Sequence, residues 1–198
     1  MGLSRPLLLC SASPRRATLL ASAGIPFELG PPPDVDETPP VGLEADRVAG
    51  ALCVAKARRA RAGAPDRVVL CADTTVILDR GILEKPRDDA DAIAMLESLS
   101  GRTHRVVTAI AIASPWSSVT DSDEAVVTFR PIERAEIEAY VKTGEPFGKA
   151  GGYAIQGGAG AFVSRLDGDV ETVVGLPTRL VRRMLLEVER LAPDAGDR

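Results

Sequence analysis

Residues 103–113 constrain this chain more than any other stretch. The run Thr-His-Arg-Val-Val-Thr-Ala-Ile-Ala-Ile-Ala alternates and is rich in Val, Ile and Thr, a pattern that dictates a long β-strand. Shorter strands are written around it. Residues 6–10 and 27–29 are two of them. Residues 68–72 are an apolar run bounded by turn signals, a central strand that residues 75–78 either continue or neighbour. Asp79-Arg80-Gly81 marks a hairpin turn. Residues 124–129 give a further strand, with 115–123 as an exposed loop before it. Residues 162–166 and 170–174 flank Asp167-Gly168 as a second hairpin.

Helices alternate with these strands. Ser13-Pro14 opens the first, with serine as N-cap and proline at the first helical position. Leu19, Leu20 and Ala23 form its apolar face and Gly24 ends it. Residues 44–62 form the longest helix, with Val48, Leu52 and Ala55 on one face and Arg58, Arg59 and Arg61 solvated. Residues 90–99, 133–142 and 177–191 complete the set. Residues 31–40 are proline-rich and acidic, an extended loop holding Asp36 and Glu37. Residues 148–160 are glycine-rich and irregular or sharply turned. The mixture predicts an α/β or α+β fold. Its 198 residues fit a single domain, 1–198, with two lobes, and residues 192–198 are expected to fray.

Aromatics are only 4% of the chain, so Ala, Val and Leu must fill most of the core. A formal net charge of -4 speaks against a nucleic-acid partner. It leaves room for a small polyanion, which a few clustered cations can hold. Cys10, Cys53 and Cys71 are odd in number and lack zinc-like spacing, so reduced buried thiols are expected. No apolar run matches a signal peptide or a membrane span, and a soluble cytoplasmic protein is expected.

Five segments carry candidate chemistry. Residues 11–16, SASPRR, lie where a strand hands over to a helix. Free N–H groups there, with hydroxyls and two arginines, suit phosphate; an ordinary N-cap with surface arginines is the plain alternative. Asp73, at the end of an apolar strand, is placed to bind Mg²⁺ or activate water, or is merely a turn-starting aspartate. Lys56, Lys85 and Arg87 are cations able to neutralise a triphosphate, or ordinary solvated side chains. Asp36 and Glu37 are candidate magnesium ligands. GGYAIQG at 151–157 permits close backbone approach, and Gln156 both donates and accepts hydrogen bonds, as base recognition requires. The lone histidine, His104, lies in a strand and is best taken as structural, so neither a catalytic triad nor a histidine metal site is expected.

Together these segments resemble the Maf family of nucleoside triphosphate pyrophosphatases, over about residues 7–185. The resemblance is carried by SASPRR (11–16), Asp36-Glu37, VAKA (54–57), ADT (72–74), LEKPR (83–87), LSGRTHRVVT (99–108), GGYAIQG (151–157) and VGLP (174–177). It implies an elongated mixed sheet flanked by helices around a central cleft, similar to inosine triphosphate pyrophosphatases. It implies house-cleaning hydrolysis of nucleotides, in which water attacks the α-phosphorus and pyrophosphate leaves. It also implies Mg²⁺ or Mn²⁺, homodimers and a cytoplasmic location. Carried over by position, Asp73 is the catalytic acidic residue, as base, metal ligand or both. Arg16, Thr74 and Gln156 tune base choice. Ser11, Ser13, Arg15, Lys56 and Lys85 contact the substrate, and Glu37 joins Asp73 at the metal. Gln156 in its setting is like the branch acting on dTTP and UTP. Modified pyrimidine or other non-canonical nucleotides, and a regulatory role inhibiting septum formation, are the rival expectations.

Overall fold

The structure is a computed structural model and describes residues 6–193. Seven strands form one mixed sheet. β1 (Leu7–Cys10) lies between β2 (Phe27–Gly30) and β3 (Val69–Leu78), parallel to both. The rest of the sheet is antiparallel. β4 (Gly81–Leu83) folds back on β3, and β5 (Thr103–Ala113), β6 (Ser118–Phe129) and β7 (Val163–Asp167) follow in order on the other side. Helices α1 (Pro14–Ser22), α2 (Ala45–Gly63), α3 (Asp89–Leu99), α4 (Arg134–Val141), α5 (Val170–Val174) and α6 (Thr178–Arg190) flank it. The expected mixed α/β class holds. No helix among the described residues is long and apolar enough to cross a membrane.

One feature of the register creates the site. β5 pairs with β3 along nearly its whole length, from Val69 to Ile77. On the opposite edge β1 pairs only with Val69 and Leu70, and β4 only from Val76 to Leu78. Among the described residues, 71–75 therefore have no strand beside them on that edge. Asp73 thus sits in mid-strand, not at the strand's end as the apolar pattern suggests. Polar Asp73, Thr74 and Thr75 interrupt the apolar run, but β5 supplies their backbone partners and the strand continues. The crevice belongs to the carboxyl end of β1, which opens beside the middle of β3.

Strand alternation then sorts the side chains. On one face Leu70 and Ala72 join a cluster with α1 and α6, while Val76 and Leu78 join a second cluster with α3 and α4. Thr74 falls between the two clusters. On the other face Val69, Cys71 and Ile77 pack against Ala49, Cys53 and Ala57 of α2. These small residues bring α2 close to the sheet. Lys56, on the same helix face, is buried with them. The three cysteines are free and buried.

Three expectations need correction. Residues 118–123 are strand, not loop: they pair with Thr108–Ala113 of β5, and only 114–117 turn, held by Ser114 N–H to Ser117 O (2.8 Å). Their side chains are mostly exposed, so no apolar alternation announces them. Residues 170–174 are helix rather than the second arm of a hairpin. Asp169 caps them by accepting from Glu171 N–H (2.9 Å), and left-handed Gly175 ends them, which outweighs the β-propensity of the valines. Arg61 is not simply solvated, since its Nε donates to Ser114 O (3.0 Å). Of the residues expected to fray, 194–198 lie outside the described part.

The few aromatics concentrate in the second cluster. Phe129 makes edge contacts with His104, Tyr153 and Phe162, at centroid separations of 5.0, 5.0 and 6.1 Å. His104 is buried, with Nε2 2.8 Å from Tyr153 Oη and Nδ1 without a partner among the described residues. Burial lowers its pKa to about 4 from an ordinary 6.5. The unfolded chain therefore takes up this proton first, and stability falls as pH drops from 6.5 towards 4. The loss amounts to about 3 kcal/mol at most. A His104→Gln variant should lose less melting temperature than the wild type across that window. Equal acid sensitivity of the two would show that His104 is not responsible.

Candidate active site

β1 ends at Cys10 and α1 begins at Pro14, and residues 11–13 between them line the same cleft as Ala72, Asp73 and Thr74 of β3. Ser11 Oγ accepts from Ser13 N–H (3.2 Å) and Arg16 Nη1 (3.0 Å). Ser13 has the extended backbone of an N-cap, yet its hydroxyl caps nothing. Its Oγ is buried, and the residue lines the cleft; the hydroxyl has no partner among the described residues. The first turn of α1 carries no acidic residue, so its positive end is not neutralised. Arg15, on that turn, lines the cleft without an ion pair among the described residues.

Behind this turn four charges alternate. Asp73 Oδ1 lies 2.5 Å from Lys56 Nζ, which lies 2.6 Å from Glu37 Oε1; Glu37 Oε2 lies 2.6 Å from Lys85 Nζ. Burial pushes the Asp73 carboxyl up, against the pull of Lys56 and Arg16. Burial opposes the Lys56 charge too, but its two carboxylates outweigh that and raise its pKa. The difference follows from sharing: Lys56 has two anions, whereas Asp73 has one ammonium in common with Glu37. Burial also raises Glu37, yet the lysines on its two oxygens hold it at about 2. Asp73 Oδ2 has no hydrogen bond among the described residues.

Arg16 is held by three acceptors. Nε donates to Gly175 O (2.9 Å), Nη1 to Ser11, and Nη2 reaches Thr74 Oγ1 at 3.5 Å. Burial pulls its pKa down, opposed by Asp73. Gly175 has φ +111°, and a Cβ there would lie 2.9 Å from Thr74 Oγ1. Both facts require glycine.

The opposite wall is the glycine-rich segment. Tyr140 Oη accepts from Ala154 N–H (3.0 Å), and Glu145 Oε2 from Gly158 N–H (2.9 Å). Gln156 lines the cleft and is exposed, with no protein partner among the described residues. Among the described residues, Lys149 donates only to the carbonyls of Glu145 and Phe147. Burial, then Arg15, lowers its pKa.

These walls enclose about 400 Å³, within the usual range for a small-molecule site. Arg15, Arg16, Lys56, Lys85 and Lys149 face Glu37 and Asp73 there, five cations against two carboxylates, in a chain of net charge -4. Such a cleft attracts a small polyanion. A family model described as Maf-like protein matches residues 6–188.

The chain belongs to the Maf-like family. A relative from Burkholderia pseudomallei (strain 1710b), named dTTP/UTP pyrophosphatase, is 47% identical over 181 residues, covering 85% of this chain and 87% of that one. One from Cupriavidus metallidurans with the same name is 44% identical over 200 residues, 96% of each. A third, from Deinococcus radiodurans and again so named, is 41% identical over 182 residues, covering 90% and 91%.

The Maf-like fold gathers Ser11, Ser13, Arg15, Arg16, Glu37, Lys56, Asp73, Thr74, Lys85 and Gln156 around one cleft. It leaves two candidates out. Asp36 accepts from Thr38 N–H (2.9 Å) in its own loop, and Arg87 pairs with Asp91 (3.0 Å). Sequence reading missed Lys149 and Phe147, which line the cleft just before the glycine run. Their signal was only their closeness to GGYAIQG.

Proposed function

We propose that this chain hydrolyses dTTP and UTP to the monophosphate and pyrophosphate. The observation that carries the reading is the excess of cations around a buried Asp73 whose Oδ2 has no hydrogen bond among the described residues. Asp73 takes a proton from water; the water oxygen bonds to the α-phosphorus; the bond to the bridging oxygen breaks, and pyrophosphate leaves with the electron pair. A carboxyl raised by burial is a stronger base than a free one. Arg15, Lys56, Lys85 and Lys149 hold phosphate oxygens, with Ser11 and Ser13 as hydroxyl donors. Positioning and charge stabilisation supply most of such catalysis.

Glu37 and Asp73 present carboxylate oxygens, the donors that Mg²⁺ and Mn²⁺ prefer. No group of three or more His, Cys, Asp or Glu among the described residues is placed to hold a metal. Two carboxylates completed by substrate phosphates still suit these ions, so the residues fit. A bound cation would offset charge on the leaving pyrophosphate.

Base choice follows from donor and acceptor types. Arg16 only donates, whereas the Gln156 amide does both. Uracil and thymine share one hydrogen-bonding edge with two carbonyls and an N–H, which this pair can match; the 4-amino group of cytosine has nothing to offer Arg16. A homodimer in the cytoplasm belongs to the same proposal, and sedimentation would give its oligomeric state.

The test is pyrophosphate release from a panel of NTPs and dNTPs with Mg²⁺, then with EDTA. Metal-dependent release led by dTTP and UTP is expected. No release by folded protein with Mg²⁺ or Mn²⁺ would defeat the reading. Gln156→Ala should lower the preference for UTP over CTP about tenfold while changing kcat with UTP far less. An unchanged ranking would remove Gln156 from base recognition.

A further inference from the structure

Thr108 is fully buried on β5, directly across from Thr74 on β3. Their hydroxyl oxygens are 2.9 Å apart. Distance alone does not say which donates, but proton counting does. Each hydroxyl has one proton. Thr108 Oγ1 also lies 2.7 Å from the carbonyl of Thr172, which can only accept. The Thr108 proton is therefore committed to Thr172, and Thr74 must donate to Thr108. The lone pairs left on Thr74 Oγ1 face Arg16 Nη2. The direction runs from Arg16 through Thr74 and Thr108 to the backbone of α5. That backbone is itself fixed: Thr172 N–H donates to Asp169 O (3.1 Å), and its hydroxyl donates to Asp123.

We propose that Thr108 is a positioning residue for base specificity. By taking the Thr74 proton it keeps Thr74 an acceptor towards Arg16. Arg16 then presents its two unused N–H groups to the ligand in a fixed orientation. Without Thr108, the Thr74 hydroxyl can turn its proton towards the guanidinium, and the arginine loses an anchor. Thr108 touches no substrate and acts only through its neighbours.

This inference rests on the dTTP and UTP reading, and the experiment separates the two. The preference for UTP over CTP, as a ratio of kcat/KM, is measured in wild type, Thr108→Val and Thr108→Ser. Valine keeps the shape and removes the hydroxyl; the preference should fall about tenfold, with kcat for UTP less affected. Serine restores the hydroxyl and should restore the preference to within about twofold. If valine does not fold, Thr108→Cys, a weak donor of similar size, should shift the preference in the same direction. A folded valine or cysteine variant as selective as wild type would overturn the positioning role and leave the activity reading intact. A wild type that hydrolyses no nucleotide would instead overturn the activity reading, and this inference with it.

Discussion

Replacing Asp73 by asparagine is expected to lower kcat with UTP about a thousandfold, the middle of the range for losing a general base. The substitution changes almost nothing else. The amide has the same shape and occupies the same gap in the β3 edge. Lys56 keeps Glu37 at 2.6 Å, so no ammonium is stranded. Burial already disfavours the charged form of Asp73, and a neutral side chain costs less to bury. The melting temperature should therefore hold or rise slightly. What disappears is the proton-accepting oxygen and the negative charge offered to a metal. Single-turnover pyrophosphate release and a thermal melt on the same preparation check both halves. Turnover near the wild-type rate in a folded Asp73→Asn protein would remove Asp73 from the chemistry.

Lys56→Met should do the reverse, harming the fold as well as the reaction. It leaves Asp73 and Glu37 without their shared cation, and Asp73 is buried. Breaking a buried pair by removing one partner commonly costs about 3 kcal/mol, which corresponds to a fall of about 10 °C in a chain this long. Two comparisons isolate the cause. Adding Asp73→Asn to Lys56→Met should recover most of the loss. The deficit should also shrink as pH falls, because a carboxyl whose folded pKa is raised favours folding below its ordinary value and opposes it above. A double variant no more stable than Lys56→Met would mean that lost packing of the lysine stem, rather than stranded charge, is the cost.

These variants bear on what could be read before folding. β5 was legible to its exact ends because its pattern and its burial agree. The cleft residues were legible as a set of motifs, and nearly all of them meet. Their geometry was not. Whether residues 75–78 continue the strand through Asp73 or neighbour it was open from local pattern, because continuity there comes from β5, some thirty-six residues away in register. Nor does the sequence show that Lys56 is buried: it follows from the small residues beside it on α2 letting the helix approach the sheet. Lys149 carries no local signal of its own, since its carbonyl partners are brought to it by the curl of residues 142–149. Residues 118–123 hid because an exposed strand has no apolar rhythm to read.

The open stretch of β3 has a consequence for how this protein behaves in company. A bare strand edge ordinarily invites a strand from another chain, the first step towards aggregation. Here the opening spans residues 71–75, closed at one end by β1 and at the other by β4. The turn at residues 11–13 lines the same cleft. An intruding strand has too little length to find register, while a small molecule does not need any. The same interruption that admits a ligand to the middle of the sheet thus denies it to another polypeptide.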